Sequence, residues 1–242
     1  MNGTTNNKHL DSYFKGCLSG MFGISLSHPI DTIKTAKQSG FKIKYSFLNL
    51  YKGIIPPLIG VGLEKALVFG TYQYLRKHQV NVPISGAISG FVATFIVTPY
   101  ERLKILKQTS QNSTTFINPQ FLYKGFSATF TREVPGFAIY FSTYHTLKEY
   151  YLESIKTDKL PLELSFLFGG LSGSMAWLFI YPQDRIKTII QSSANDNKKI
   201  TMIIKDTYKN GGLKSFYTGF GFAMSRAILL HAGTFMMFEF LE

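Results

Sequence analysis

Cysteine is almost missing from this chain. Cys17 is the only one, so no intramolecular disulfide can form and a disulfide-stapled secreted scaffold is excluded. Acidic residues are scarce as well: 14 Asp and Glu stand against 26 Lys and Arg, a formal net charge of +12. Charged residues of both signs make up only 17% of the sequence and hydrophobic ones 45%. That combination leaves a basic soluble domain for nucleic acid or a membrane protein with lysine-rich loops. The opening residues MNGTTNNKHLDSYFK lack the apolar core of a secretory signal and the arginine-rich amphipathicity of a cleaved transit peptide. An organellar address is therefore expected to be internal. His9, His28, His78, His145 and His231 show no ligand spacing with acids or cysteine, and no metal is expected. No nucleophile–base arrangement is visible, and an enzyme is not expected. Long apolar runs are few: residues 84–99 and 164–183 carry no charge and approach the ~20 residues of a membrane span. Glu64 and Lys65, Arg132 and Glu133, and Arg226 interrupt the others.

What the chain does have is an internal repeat. SHPIDTIKTAKQ, TPYERLKILKQ and YPQDRIKTIIQ each place an acid two residues after a proline, a lysine at five and a glutamine at nine. These are Pro29, Asp31, Lys34 and Gln38; Pro99, Glu101, Lys104 and Gln108; and Pro182, Asp184, Lys187 and Gln191. Thirteen and nine residues before each proline stands a GxxxG, formed by Gly16 and Gly20, Gly86 and Gly90, and Gly169 and Gly173. Downstream, an aromatic triplet ends on Gly53, Gly125 or Gly219. The prolines are 70 and 83 residues apart, too far for solenoid units. Each unit has room for two long apolar helices, so an all-α bundle of six helices in three tandem hairpins is predicted. The repeats span residues 11–79, 80–155 and 160–242 of a single domain, 1–242. GxxxG lets helix backbones approach closely in lipid. In water those glycines would each cost roughly 1 kcal/mol against alanine. A bundle around a wet cavity also needs only its outer faces apolar, which accounts for the modest hydropathy.

On a helix, residues three and seven apart share a face. Asp31/Lys34, Glu101/Lys104 and Asp184/Lys187 thus present three acids and three bases at one end of the bundle. Isolated at solvated helix ends, such pairs are worth ~0–1 kcal/mol; triplication favours a ring between helices. The spread of lysines over loops and helix ends, with no single basic face, counts against nucleic acid.

Three hairpins carrying P-x-D/E-x-x-K and an aromatic-x-G triplet resemble the mitochondrial carrier family across essentially the whole chain. The resemblance implies pseudo-threefold symmetry around a central cavity, a monomer in the mitochondrial inner membrane, and both termini facing the intermembrane space. It implies a matrix gate with pairs Asp31–Lys104, Glu101–Lys187 and Asp184–Lys34, braced by Gln38, Gln108 and Gln191. Helices would kink at Pro29, Pro99 and Pro182. On the even helices the family's aromatic-acid-x-x-base pattern falls on Gln73 and Arg76, His145 and Lys148, and Glu239 and Glu242. Only Glu239–Arg76 is then expected as an ordinary pair, with Gln73–Lys148 and His145–Glu242 as weaker links of a weakened cytoplasmic gate. The resemblance also implies cardiolipin phosphates near Gly53, Gly125 and Gly219, where helix N-termini suit an anion; no other cofactor is implied. The acidic-Gly signature ahead of the triplet is absent from the first two repeats, so their surface helices are expected to be cut down.

Counting back thirteen residues from Gln73, His145 and Glu239 reaches Gly60, Arg132 and Arg226, the positions where the family contacts substrate. Glu133 adjoins Arg132, and Glu64 and Lys65 lie one turn beyond Gly60. Buried ionisable groups in mid-membrane are functional candidates, although some also brace helices. An arginine–acid pair at the second contact position, in TREVPGFAIYF, is similar to carriers of carnitine and basic amino acids. A guanidinium there would grip a carboxylate and Glu133 an ammonium. GIIPPLIGVGLEKAL resembles the aspartate/glutamate and dicarboxylate branches, but Leu63 and Leu229 stand where those branches often carry proline. A small charged metabolite moved by alternating access is expected, with an amino acid or related zwitterion favoured. Arg132, Arg226 and Lys65 together could instead hold a phosphate, which keeps a nucleotide as the alternative. A carrier-like membrane adaptor that no longer transports is the second alternative.

Overall fold

The computed structural model describes residues 3–39, 50–51, 53–108, 122–123, 125–192, 200–209 and 211–242. Among them six long helices form three hairpins: α1 (Gly3–Ser39) with α2 (Ile55–Lys77), α3 (Val82–Gln108) with α4 (Phe126–Ile155), and α5 (Leu162–Ser192) with α7 (Phe220–Leu241). A short helix, α6 (Ile200–Lys209), and a 3-10 helix (Gly212–Tyr217) sit in the third hairpin and pack on α5. Neighbouring hairpins meet as α2 on α3, α4 on α5 and α7 on α1, which closes the ring. This is the expected threefold arrangement, although α1 begins at Gly3, earlier than the predicted repeat start at 11. The segments in which the surface helices of the first two repeats were expected to be cut down lie largely outside the described residues.

The outer faces of α3 and α5 are apolar, while small hydroxyl side chains are buried beside the aromatic core. On α3, Ser85, Ser89, Thr94 and Thr98 are buried while Ile84, Ile88, Phe91 and Phe95 face outward at helical spacing. On α5, Leu167, Leu171, Met175 and Leu178 form a similar outward stripe. The inward hydroxyls donate to carbonyls one turn back, as Ser89 does to Ser85 (2.6 Å) and Thr98 to Thr94 (2.7 Å). They therefore carry no unmet polarity into the interface. Val82–Glu101 and Leu162–Ile186 are long and apolar enough to cross a membrane by length and composition.

The GxxxG pairs do what their spacing predicts. A Cβ on Gly16 would stand 2.6 Å from the Lys65 carbonyl oxygen, on Gly86 2.6 Å from that of Phe137, and on Gly169 2.8 Å from that of His231. Each odd helix is thus pressed backbone to backbone against its hairpin partner at the same height. Pro29, Pro99 and Pro182 lie inside α1, α3 and α5, each of which continues past its proline. Gly125 and Gly219 open α4 and α7 with φ of +99° and +85°, a left-handed turn that only glycine adopts cheaply.

Candidate functional site: a layered central cavity

Corresponding residues of α2, α4 and α7 lie at matching heights, so the bundle can be followed in layers. The outermost contains Gln73, Arg76, His145, Lys148, Glu239 and Glu242. Gln73 Nε2 donates to Glu242 (3.0 Å), and Lys148 Nζ pairs with Glu239 (2.6 Å) and Glu242 (3.7 Å). Arg76 Nη2 lies 3.1 Å from His145 Nε2. Arginine can only donate, so His145 accepts there and carries its proton on Nδ1, which meets Glu149 at 2.9 Å.

These links correct the expected pairing: Glu239 meets Lys148, Arg76 meets His145, and Gln73 meets Glu242. The acid and base positions, three residues apart, point roughly 60° apart around the helix axis. Each therefore faces a different neighbour, and the sense of the bundle decides which. Among the described residues, ion pairs join only α4 to α7, through Lys148, while the α2–α4 and α2–α7 bridges each use one uncharged partner, His145 or Gln73; the Tyr144 hydroxyl adds a hydrogen bond to Glu239 (3.0 Å). His145→Asp would replace the hydrogen bond from the Arg76 guanidinium to an uncharged imidazole with an ion pair, and would give up the contact with the well-exposed Glu149 carboxylate. A gain of about 1 kcal/mol for the closed ring should slow exchange in liposomes roughly fivefold and raise the unfolding temperature; faster exchange would refute a gating role.

Beneath the ring, Phe69, Phe141 and Phe235 meet with centroid separations of 5.2, 5.5 and 6.2 Å. All three are nearly inaccessible. Tyr144 stacks on Phe235 (3.5 Å) and Tyr72 on Phe141 (3.8 Å). This aromatic plug was not foreseen, yet its signal is plain: each phenylalanine stands four residues before the ring position of its own repeat.

Below the plug is a cavity of about 280 Å³ lined by residues that include Glu64, Lys65, Glu101, Arg132, Glu133 and Arg226. Arg132 gathers three acids. Its Nη2 reaches Glu133 (2.5 Å) and Glu101 (2.6 Å), and its Nη1 is 3.6 Å from Asp184. Arg226 Nε lies 3.3 Å from Asp31, an ionic contact without hydrogen-bond alignment. Lys65 Nζ is 3.4 Å from Glu64 and sits over the rings of Phe137 (4.6 Å) and Tyr140 (5.4 Å).

The acids expected in the matrix gate thus reach inward to the central arginines. The gate's other members, Lys34, Lys104, Lys187, Gln38, Gln108 and Gln191, have side chains outside the described residues. Gly60 does not line the cavity, because the Tyr100 ring fills the space where its Cβ would be and the Tyr100 hydroxyl donates to the Pro56 carbonyl (3.2 Å). Tyr100 was missed because it belongs to the neighbouring hairpin.

The family profile described as "Mitochondrial carrier protein" matches residues 76–154 and 158–242. The mitochondrial carnitine carrier of Saccharomyces cerevisiae is 28% identical, covering 96% of this chain and 86% of its own length. The mitochondrial arginine transporter BAC2 of Arabidopsis thaliana is 28% identical over 94% of this chain and 88% of its own. The mitochondrial basic amino acids transporter of Bos taurus is 29% identical, with 92% and 88% covered. With three hairpins closed into a ring around a charged cavity and this match over most of its length, the chain belongs to the mitochondrial carrier family.

Proposed function

We propose that this mitochondrial solute transporter of the inner membrane carries an amino acid or related zwitterion. The observation that carries the reading is the cavity's mixed charge: Glu64, Glu101 and Glu133 lie among Lys65, Arg132 and Arg226. A molecule bearing both an ammonium and a carboxylate finds a partner for each end. A nucleotide would bring several negative charges against those carboxylates, which costs binding at such short range. Relatives named for carnitine, arginine and basic amino acids support the same class. The closed outer ring and plug form one half of an alternating-access cycle, with Asp31, Glu101, Asp184 and the lysines of their motifs as the matrix gate. Pro29, Pro99 and Pro182 serve as the bends on which the odd helices move. The protein works as a monomer with both termini on the intermembrane-space side. Cardiolipin phosphates are held at Gly53, Gly125 and Gly219, whose left-handed turns precede helix N-termini. An adaptor that has lost transport has less to recommend it, since a charged cavity under a bridged gate serves no scaffold.

Purified protein in liposomes should exchange radiolabelled lysine, ornithine or carnitine well above protein-free vesicles, and aspartate or dATP poorly. Exchange of dATP without any amino acid would move the assignment to nucleotides. Folded protein inactive on the whole panel would favour the adaptor.

A further inference from the structure

Between the central arginines and the aromatic plug lies one more layer, five residues beyond the contact position of each repeat: Lys65, Phe137 and His231. All three are buried, at 2%, 6% and 8% exposure, and their backbones are the ones pressed against the GxxxG pairs. Tyr140, 1% exposed, joins the layer with its ring 4.9 Å from that of His231. All four line the central cavity. Among the described residues neither the Tyr140 hydroxyl nor His231 Nδ1 has a hydrogen-bond partner. Two buried polar groups left unmet beside a cavity are costly unless something entering it meets them.

We propose that Lys65, Tyr140 and His231 form the roof of the binding site and receive the substrate's carboxylate. The inference rests on the zwitterion reading and deepens it. A carboxylate is the group that satisfies all three at once: the ammonium and the phenol donate to it, and the imidazole donates when its proton is on Nδ1. Arg132, the obvious carboxylate partner, is already engaged by Glu101, Glu133 and Asp184. In this outward-closed form the cationic end of the substrate lies lower, toward Glu64 and Glu133. The layer is then a specificity filter that separates amino acids from their decarboxylated amines.

The test compares lysine with cadaverine, which differs only by lacking the carboxylate, in exchange assays on wild type, Tyr140→Phe, His231→Leu and His231→Asn. Tyr140→Phe should raise the KM for lysine about tenfold, as expected for loss of a hydrogen bond to a charged group, and leave inhibition by cadaverine unchanged. His231→Asn, which keeps a donor near the Nδ1 position, should retain lysine affinity better than His231→Leu. Tyr140→Phe removes a buried hydroxyl without a partner, so its unfolding temperature should equal or exceed that of wild type. Equal shifts for both ligands, no shift for either, or a fall in stability that tracks the loss of transport would overturn the roof while leaving the substrate class in place. A wild type that exchanges dATP and no carboxylate-bearing amine would overturn both.

Discussion

Arg132→Ala is expected to abolish exchange of any amino acid in liposomes and to lower the unfolding temperature of the purified protein. The guanidinium holds Glu101 from α3, Glu133 from its own helix and Asp184 from α5. Its removal leaves three carboxylates close together in a cavity with little to neutralise them. Breaking a buried pair by deleting one partner typically costs 3–5 kcal/mol, and here one cation serves several acids. Arg132→Lys keeps the charge but loses the fork that reaches two helices, and should recover part of the stability and little of the transport. If Arg132→Ala transports at even a tenth of the wild-type rate, the central site has been placed wrongly.

Gly90→Leu should yield no folded protein, read as loss of the monodisperse peak on size-exclusion chromatography in detergent. Even a Cβ at Gly90 would stand 2.5 Å from the Glu133 carbonyl oxygen. The obstacle is backbone, which cannot turn aside as a side-chain tip can. Overpacking usually costs 1–3 kcal/mol, and separating α3 from α4 at the height of Glu133 should exceed that range. Gly221 is the control: among the described residues, nothing lies within 4 Å of its missing Cβ. Gly221→Ala should be neutral or stabilising by up to about 1 kcal/mol through helix propensity. Equal behaviour of the two variants would mean that close helix approach is not what the GxxxG glycines provide.

Much of this architecture was legible before any coordinates. The spacing of Pro29, Pro99 and Pro182 announced three hairpins, and the paired glycines announced where their helices touch. Counting back from the ring positions reaches Arg132 and Arg226, both of which line the central cavity. Four residues before the same ring positions stand Phe69, Phe141 and Phe235, a register that the hydrophobic residues carry as plainly as the charged ones.

Partner choice was not legible. The family pattern pairs His145 with Glu242 and Glu239 with Arg76, whereas His145 is bridged to Arg76 and Glu149, and Glu239 to Lys148. Register alone makes Gly60 a contact point, yet Tyr100 from the next hairpin covers it. Spacing along one helix sets a residue's height and the direction it faces, because both follow from the local screw of the backbone. By itself, then, the sequence determined the three hairpins, their layers and the residue types in each layer. Only the tertiary structure decided which neighbour each side chain meets, because that depends on how whole helices are rotated and tilted against one another. No interval within a single helix encodes that rotation.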